Sequence, residues 1–336
     1  MSALIHIAID AMSGDRGPSV SVPAALAAAR EFGDVRFTLI GRQPDLERES
    51  GNALPPNVSC LFAADVVEMT DPPREALRRK KDSSMRRAID LVKSNEAHAC
   101  VSAGNTGALM ATAHFVLKML PGVERPAIVS LIPSRGGHTY MLDLGANASC
   151  TPEQLSQFAV MGSVLAADLE GAHERPRVGL LNIGAEEIKG NETVQAAHNL
   201  LAARDINYVG FVEGDDIFSD KVDVVVTDGF TGNVALKAME GAARLIADAL
   251  REEFSRTLLR KAGYLAARPA LQALRTRIDP RRYNGASMIG LNGIVIKSHG
   301  GTDLFGFQRA IEVAVLEARN GVPARIAQRL SASREA

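Results

Sequence analysis

Two stretches of the chain combine glycine with small hydroxyl and amide side chains in a pattern that could hold an anion. They are "ACVSAGNTGALMA" (residues 99–111) and "VVVTDGFTGNVALK" (residues 224–237). In each, a short apolar run ends in Gly-x-Thr-Gly and a helical pattern follows. Backbone N–H groups at the start of a helix face outward at the positive end of its dipole, which suits phosphate. Gly104, Gly107, Gly229 and Gly232 would permit close approach, while Asn105, Thr106, Thr231 and Asn233 offer further donors. Glycine at a strand-to-helix turn often serves tight geometry alone. The recurrence, with Asn147 and Asn191 at other strand ends, favours a polar ligand. Lys189, in "GAEEIKGNE", is the only lysine among the strand-end loops before residue 200. A loop lysine is usually a solvated charge, but Gly190 and a helix cap follow this one, so its ammonium could reach an oxyanion. Lys297 and His299, in "IVIKSHGG", form a second candidate pair, although a lone histidine is more often structural.

Several chemistries lack their signatures. No Gly-Lys-Ser/Thr follows either glycine turn, and Gly-x-Gly-x-x-Gly, Gly-x-Ser-x-Gly and His-Glu-x-x-His are missing. Asp216, Asp220, Asp223 and Asp228 could mimic the metal carboxylates of a dehydrogenase, but capping and solvated acids are the commoner reading. No metal and no cofactor are expected.

These residues need elements to carry them. Strand patterns lie at 4–9, 36–40, 58–62, 98–102, 127–132, 139–144, 178–183, 207–212 and 222–227. Helical patterns lie at 20–31, 74–94, 106–119, 152–169, 191–203, 233–262 and 307–319, so the chain reads as βαβ units around a largely parallel sheet. "TPEQ" at Thr151 and "NETVQ" at Asn191 are helix starts. Beyond residue 245 the pattern becomes a helical hairpin, 245–283. Leu250, Phe254, Leu258 and Leu259 form one apolar set, and Leu265, Leu271, Leu274 and Ile278 the other. Gly263 and Tyr264 break the pattern, which puts an uncharged tip at 263–267. Residues 251–282 hold nine Arg or Lys against three acids. That local excess suits an acidic protein partner, with Arg256, Arg260, Lys261 and Arg268 as docking residues, or an anionic membrane surface.

At 336 residues, 46% apolar and 23% charged, the composition is that of a globular enzyme. A net charge of -1, no Trp and few aromatics argue against a nucleic-acid partner. Cys60, Cys100 and Cys150 are odd in number and far apart, as expected of reduced thiols in the cytoplasm. The stretch "MSALIHIAIDAM" has no basic leader and reads as a first strand, and no segment is apolar enough to span a membrane.

The strings "IAIDAMSGDRGP", "KKDSSM", "SAGNTGALMA", "MLDLGAN", "LLNIGAEEIKGNE", "FVEGDDIF", "DVVVTDGFTGNVALK" and "GLNGIVIKSHG" run in order over residues 7–300. Together they resemble the bacterial phosphate acyltransferase family (PlsX). That family makes acyl phosphate from acyl-(acyl carrier protein) and inorganic phosphate early in phospholipid synthesis. Ser13 stands where the family usually has Gly, and "YNGASMIGLNG" replaces a Gly-Gly-Ala-Pro-Leu-Leu run. The resemblance implies a single two-lobed α/β/α domain over residues 1–336, similar to phosphotransacetylases and to isocitrate and isopropylmalate dehydrogenases, and a homodimer. It implies Lys189 and Asn233 as catalytic positions. It places Asp10, Gly14 and Asp228 with the two turns, Asn147, Asn191, Lys297 and His299 in substrate and phosphate binding. The implied partners are acyl carrier protein, inorganic phosphate and a downstream membrane acylphosphate:glycerol-3-phosphate acyltransferase, with peripheral contact at the inner face of the cell membrane. Phosphate is already an anionic nucleophile, so a catalytic triad is not required. Rival readings are a coenzyme A-dependent phosphotransacylase, a nicotinamide-dependent decarboxylating dehydrogenase of the same fold, and a non-catalytic carrier-binding module.

Overall fold

The apolar runs form strands whose successive side chains are buried on opposite faces. In β1 (His6–Asp10), Ile7 and Ile9 enter one core cluster and Ala8 another. Strands β4 (Ala99–Ser102), β9 (Val224–Val226) and β11 (Ile294–Lys297) divide their residues in the same way. Burial on both faces requires helices on both faces. The computed structural model, which describes residues 4–51, 54–170 and 175–335, has them. The first three residues of the expected N-terminal strand stretch lie outside the described residues. Helices α1 (Pro18–Glu31) and α10 (Leu304–Asn320) cover one face of the first half of the sheet; α6 (Pro152–Glu170) and α11 (Val322–Glu335) cover the second half. On the other face α4 (Ser84–Lys93), α5 (Thr106–Leu117) and the start of α8 (Gly229–Ser255) share one core with strands of both halves.

All the strands join one 11-stranded sheet, in the order β3-β2-β1-β4-β11-β10-β5-β6-β9-β7-β8. The remaining members are β2 (Arg36–Gly41), β3 (Val58–Phe62), β5 (Ala127–Ser134), β6 (Gly137–Leu142), β7 (Arg177–Leu181), β8 (Asn207–Val212) and β10 (Ala286–Ile289). Strand β10 is antiparallel to both β11 and β5, and β5 is antiparallel to β6. Apart from the central strands β10 and β5, each half is parallel within itself, but β6 to β9 run opposite to β1–β4 and β11. The sheet is largely parallel, as expected, yet its two halves have reversed polarity. The Gly-x-Thr-Gly turns after β4 and β9 consequently do not line up on one sheet edge.

Other boundaries shift for local reasons. The 74–94 pattern is two helices, α3 (Pro73–Arg79) and α4, because Ser83 caps the second through its hydroxyl to the Arg86 amide. The 233–262 pattern breaks at Thr257, whose hydroxyl caps α9 (Leu258–Arg277) by accepting from the Arg260 amide. Gly263–Ala267 therefore lie inside α9, and the hairpin tip is at Arg256–Thr257, beside the exposed Leu258 and Leu259. The hairpin begins directly at the end of β9 and closes at Arg277, where the guanidinium donates to the Arg135 carbonyl (2.8 Å). Strands β10 and β11 and the helices α2 (Gln43–Ser50) and α11 had no counterpart among the expected elements.

Candidate functional site

Strands β1, β4 and β11 are neighbours, so the loops beyond their carboxyl ends meet. Asp10 is buried there. One carboxylate oxygen accepts from the Ser102 hydroxyl (2.6 Å), the other makes no hydrogen bond, and burial pushes the carboxyl up. The Ser13 hydroxyl donates to the Asp10 carbonyl (2.7 Å) and accepts from the Ala103 amide (2.8 Å), tying the loops together. Gly14 sits at φ +89°, where a Cβ would lie 3.0 Å from the Gly300 carbonyl oxygen. The Lys297 ammonium is buried and donates to the carbonyls of Ala103 (3.4 Å) and Ser298. Two of its three donors are thus engaged. Burial lowers its pKa to about 8, with Asp15 and Asp10 opposing that fall and Lys237 adding to it. His299 is exposed, its amide held by the Asn284 side chain (2.9 Å) and its Nδ1 accepting from the Gly301 amide (3.2 Å).

The first glycine turn is partly open. Asn105 is committed: its oxygen caps α5 at the Ala108 amide (3.0 Å) and its nitrogen donates to the carbonyls of Met69 (2.6 Å) and Asp71 (3.2 Å). The Gly104 amide donates to the Ser102 hydroxyl (3.1 Å). The exposed Thr106 and Gly107 amides have no partner among the described residues, and these two remain available to an anion.

The second turn is closed. Asp143 accepts five N–H bonds, from the amides of Ile128, Gly145, Ala146 and Asn147 and from the Asn147 side chain. Burial pushes its carboxyl up, while these donors pull it back toward the ionised form. The Asn147 side chain also donates to the Pro126 carbonyl (2.8 Å), and its own carbonyl accepts from the Gly229 amide (2.8 Å). A Cβ on Gly229 would lie 2.6 Å from that oxygen, and one on Gly232 would lie 1.9 Å from the Asp143 carbonyl oxygen. Asp228 accepts from both the Thr231 amide and hydroxyl (2.9 Å each). Gly229 and Gly232 therefore let the first turn of α8 dock onto backbone, and the expected open phosphate cradle is not there. Asn147 and Asp228 build this frame, just as Asn191 caps α7 (Glu192–Ala202) at the Val194 amide (2.9 Å).

What the second half presents outward is Asn233 and Lys189. Asn233 is exposed on α8, and its amide has no partner among the described residues. Lys189 is exposed in the loop after β7; its ammonium pairs with Glu186 (3.0 Å), whose carboxyl it holds below the usual range. Because β7 pairs with β9, this loop and the start of α8 are neighbours. Phe230, Asn233, Val234 and Lys237 stand at i, i+3, i+4 and i+7, one face of α8, while Ala235, Leu236 and Met239 pack against the core shared by both halves. Lys237 pairs with Glu240 (3.0 Å), and its charge adds to the lowering of the Lys297 pKa. Sequence reading passed over Lys237; its one-turn spacing from Asn233 was the available signal.

Among the described residues no cluster of His, Cys, Asp or Glu could hold a metal ion. Asp216 pairs with Lys221 (2.5 Å) and Asp223 with Arg177 (2.8 Å), so the acids near β9 have separate partners. The three cysteines are unpaired. On the hairpin, Arg256 pairs with Glu252 and Glu253, and Arg260 with Glu253, whereas Lys261 and Arg268 make no ion pair among the described residues.

The family described as "Fatty acid synthesis protein" matches residues 5–325. A phosphate acyltransferase of Alkalilimnicola ehrlichii is 57% identical over 334 residues, covering 98% of this chain and 97% of that one. A phosphate acyltransferase of Methylococcus capsulatus is 56% identical over 332 residues, covering 97% and 96%. Among solved structures, a phosphotransacetylase from Streptococcus pyogenes superposes with a TM-score of 0.63 at 16% identity, covering 95% of each chain. That distant likeness speaks for the shared fold. The family match over residues 5–325 and the identity of more than half to these relatives, carried on a two-halved α/β/α sheet, show that the chain belongs to the phosphate acyltransferase family of fatty acid synthesis proteins.

Proposed function

We propose that the protein transfers the acyl group of acyl-(acyl carrier protein) to inorganic phosphate, giving acyl phosphate and free carrier thiol for phospholipid synthesis. A phosphate oxygen attacks the thioester carbonyl carbon, the tetrahedral oxyanion collapses, and the C–S bond breaks with the thiolate leaving. The Thr106 and Gly107 amides, Lys297 and Lys237 hold the phosphate; Lys189 and Asn233 stabilise the oxyanion. The observation that carries this reading is the start of α8, which presents an unpartnered Asn233 beside the loop that carries Lys189, because β9 and β7 are paired. Thiol release from acyl-(acyl carrier protein), measured with and without phosphate, tests it; release independent of phosphate would overturn it.

Phosphate binding should be pH-dependent. A lysine whose pKa is lowered is charged below that value and neutral above it, so the Lys297 ammonium is lost as pH rises through about 8. The apparent KM for phosphate is expected to climb above that pH, and Lys297→Met to flatten the climb. Steady-state kinetics across the range measure both.

The carrier protein docks on the hairpin. Since Arg256 and Arg260 are neutralised by Glu252 and Glu253, the free charges Lys261 and Arg268, two turns apart on α9, do most of the steering. A Lys261→Glu/Arg268→Glu variant is expected to raise KM for the acyl carrier protein several-fold at low salt, with KM for phosphate as the control. Helix α9 has no buried residue, and no described helix is long and apolar enough to cross a membrane. The hairpin serves a homodimer contact and peripheral membrane attachment, the latter at the Leu258–Leu259 tip. Leu258→Glu should then abolish co-sedimentation with anionic vesicles; retention of the variant on them would remove the tip from that role.

A further inference from the structure

The polar pair Lys189 and Asn233 is bracketed by large apolar side chains left in water. Ile183 and Ile188 are 80% and 87% exposed in the loop that carries Lys189; Phe230 and Val234 are 66% and 54% exposed on the α8 face that carries Asn233. Pairing of Leu180 with Val226 sets the loop and the helix start side by side, three and four residues beyond the last paired positions at Ile183 and Phe230. Leaving four such side chains in water is costly, since apolar surface gains by leaving it. Isolated exposed apolar residues need no explanation, but an apolar patch around candidate reacting groups marks a binding surface.

We propose that Ile183, Ile188, Phe230 and Val234 form the track for the fatty acyl chain, running away from the thioester carbonyl held between Lys189 and Asn233. The inference rests on the acyl transfer proposed above and adds where the chain lies. The occupant follows from the order of groups. Toward Lys237 and Lys297, α8 offers ammonium groups to the dianion, with Glu240 paired to Lys237 and Asp15 and Asp10 acting on Lys297. The other side presents Ile183, Ile188 and Phe230 next to the Lys189–Glu186 pair and the exposed Glu187, and its large apolar side chains suit hydrocarbon. A carbonyl at Asn233 thus has its nucleophile on one side and its alkyl tail on the other. Ile188 and Val234 are the central pair, adjacent in sequence to Lys189 and Asn233.

The test compares a sixteen-carbon with a four-carbon acyl thioester in the full-length protein, for wild type, Ile188→Ser and Val234→Ser. Each substitution is expected to lower the ratio of kcat/KM for the long over the short chain about tenfold, the effect of losing roughly one buried aliphatic side chain. Val234→Ile is expected to keep the ratio. Sedimentation of each variant is measured alongside. An unchanged ratio overturns the track, and so does equal loss on both chains with dissociation of a dimer, which would make the patch a subunit interface. If wild type releases no thiol in response to phosphate, the acyl-transfer reading itself fails and the track falls with it. Wild-type turnover with an unaltered ratio in the variants removes the track alone.

Discussion

Lys189→Ala and Asn233→Ala are each expected to lower turnover about 10²- to 10³-fold at saturating phosphate, the usual cost of removing one preorganised oxyanion donor. Both side chains are exposed, and neither holds the fold: Lys189 makes one surface ion pair and Asn233 makes no side-chain hydrogen bond among the described residues. Exposed pairs of this sort contribute roughly 0–1 kcal/mol, so the melting temperature should hardly move. The effect should fall on kcat, because the oxyanion exists only in the transition state. A rise in KM for phosphate with kcat intact would instead assign them to ground-state binding. Near-normal turnover in both variants would remove them from the reaction.

The second large effect separates one glycine of each turn, Gly232 of the second and Gly104 of the first. Gly232→Ala would place a methyl 1.9 Å from the Asp143 carbonyl oxygen, a backbone atom of a loop held by five hydrogen bonds to the Asp143 carboxylate. That loop cannot yield, and overpacking of this severity costs about 3 kcal/mol or more. Gly104→Ala meets the Met85 methyl at 2.6 Å, the free end of a flexible side chain that can swing aside. We expect thermal unfolding several degrees lower for Gly232→Ala, with lost activity as α8 lifts and carries Asn233 with it. Gly104→Ala should lose far less stability. Equal melting temperatures would show that the α8 docking is not as rigid as its hydrogen bonds indicate.

The second turn shows where sequence reading reached and where it stopped. The strands at 6–10, 99–102 and 224–226 were legible because short apolar runs buried on both faces leave few alternatives. Lys189 was expected in a strand-end loop and Asn233 at a helix start, and the structure has them there. The purpose of Gly229 and Gly232 was not, because the loop they press against, 143–147, is distant in sequence. Residues 286–289 and 294–297 make strands of four, interrupted by Gly290 and Gly293, too brief for any periodicity. Gly263 looked like a break but costs an exposed helix only about 1 kcal/mol, whereas Thr257 has the capping hydroxyl and wins. Lys237 resembled any solvated helical lysine until the fold set it near Lys297.

The order of strands also governs how the chain can be made. Strands β10 and β11 lie between β4 and β5 in the sheet, yet they are the last two to leave the ribosome, after the whole α8–α9 hairpin. Until Ile294 arrives to pair with Ala99, and Met288 with Ile128, a nascent chain carries two open edges, one on each half. Unpaired edges of apolar strands are templates for aggregation, and closing them over so long a loop is slow. The late pair acts as a keystone: without it the two half-sheets share no strand pairing and are joined only through the core under α4, α5 and α8.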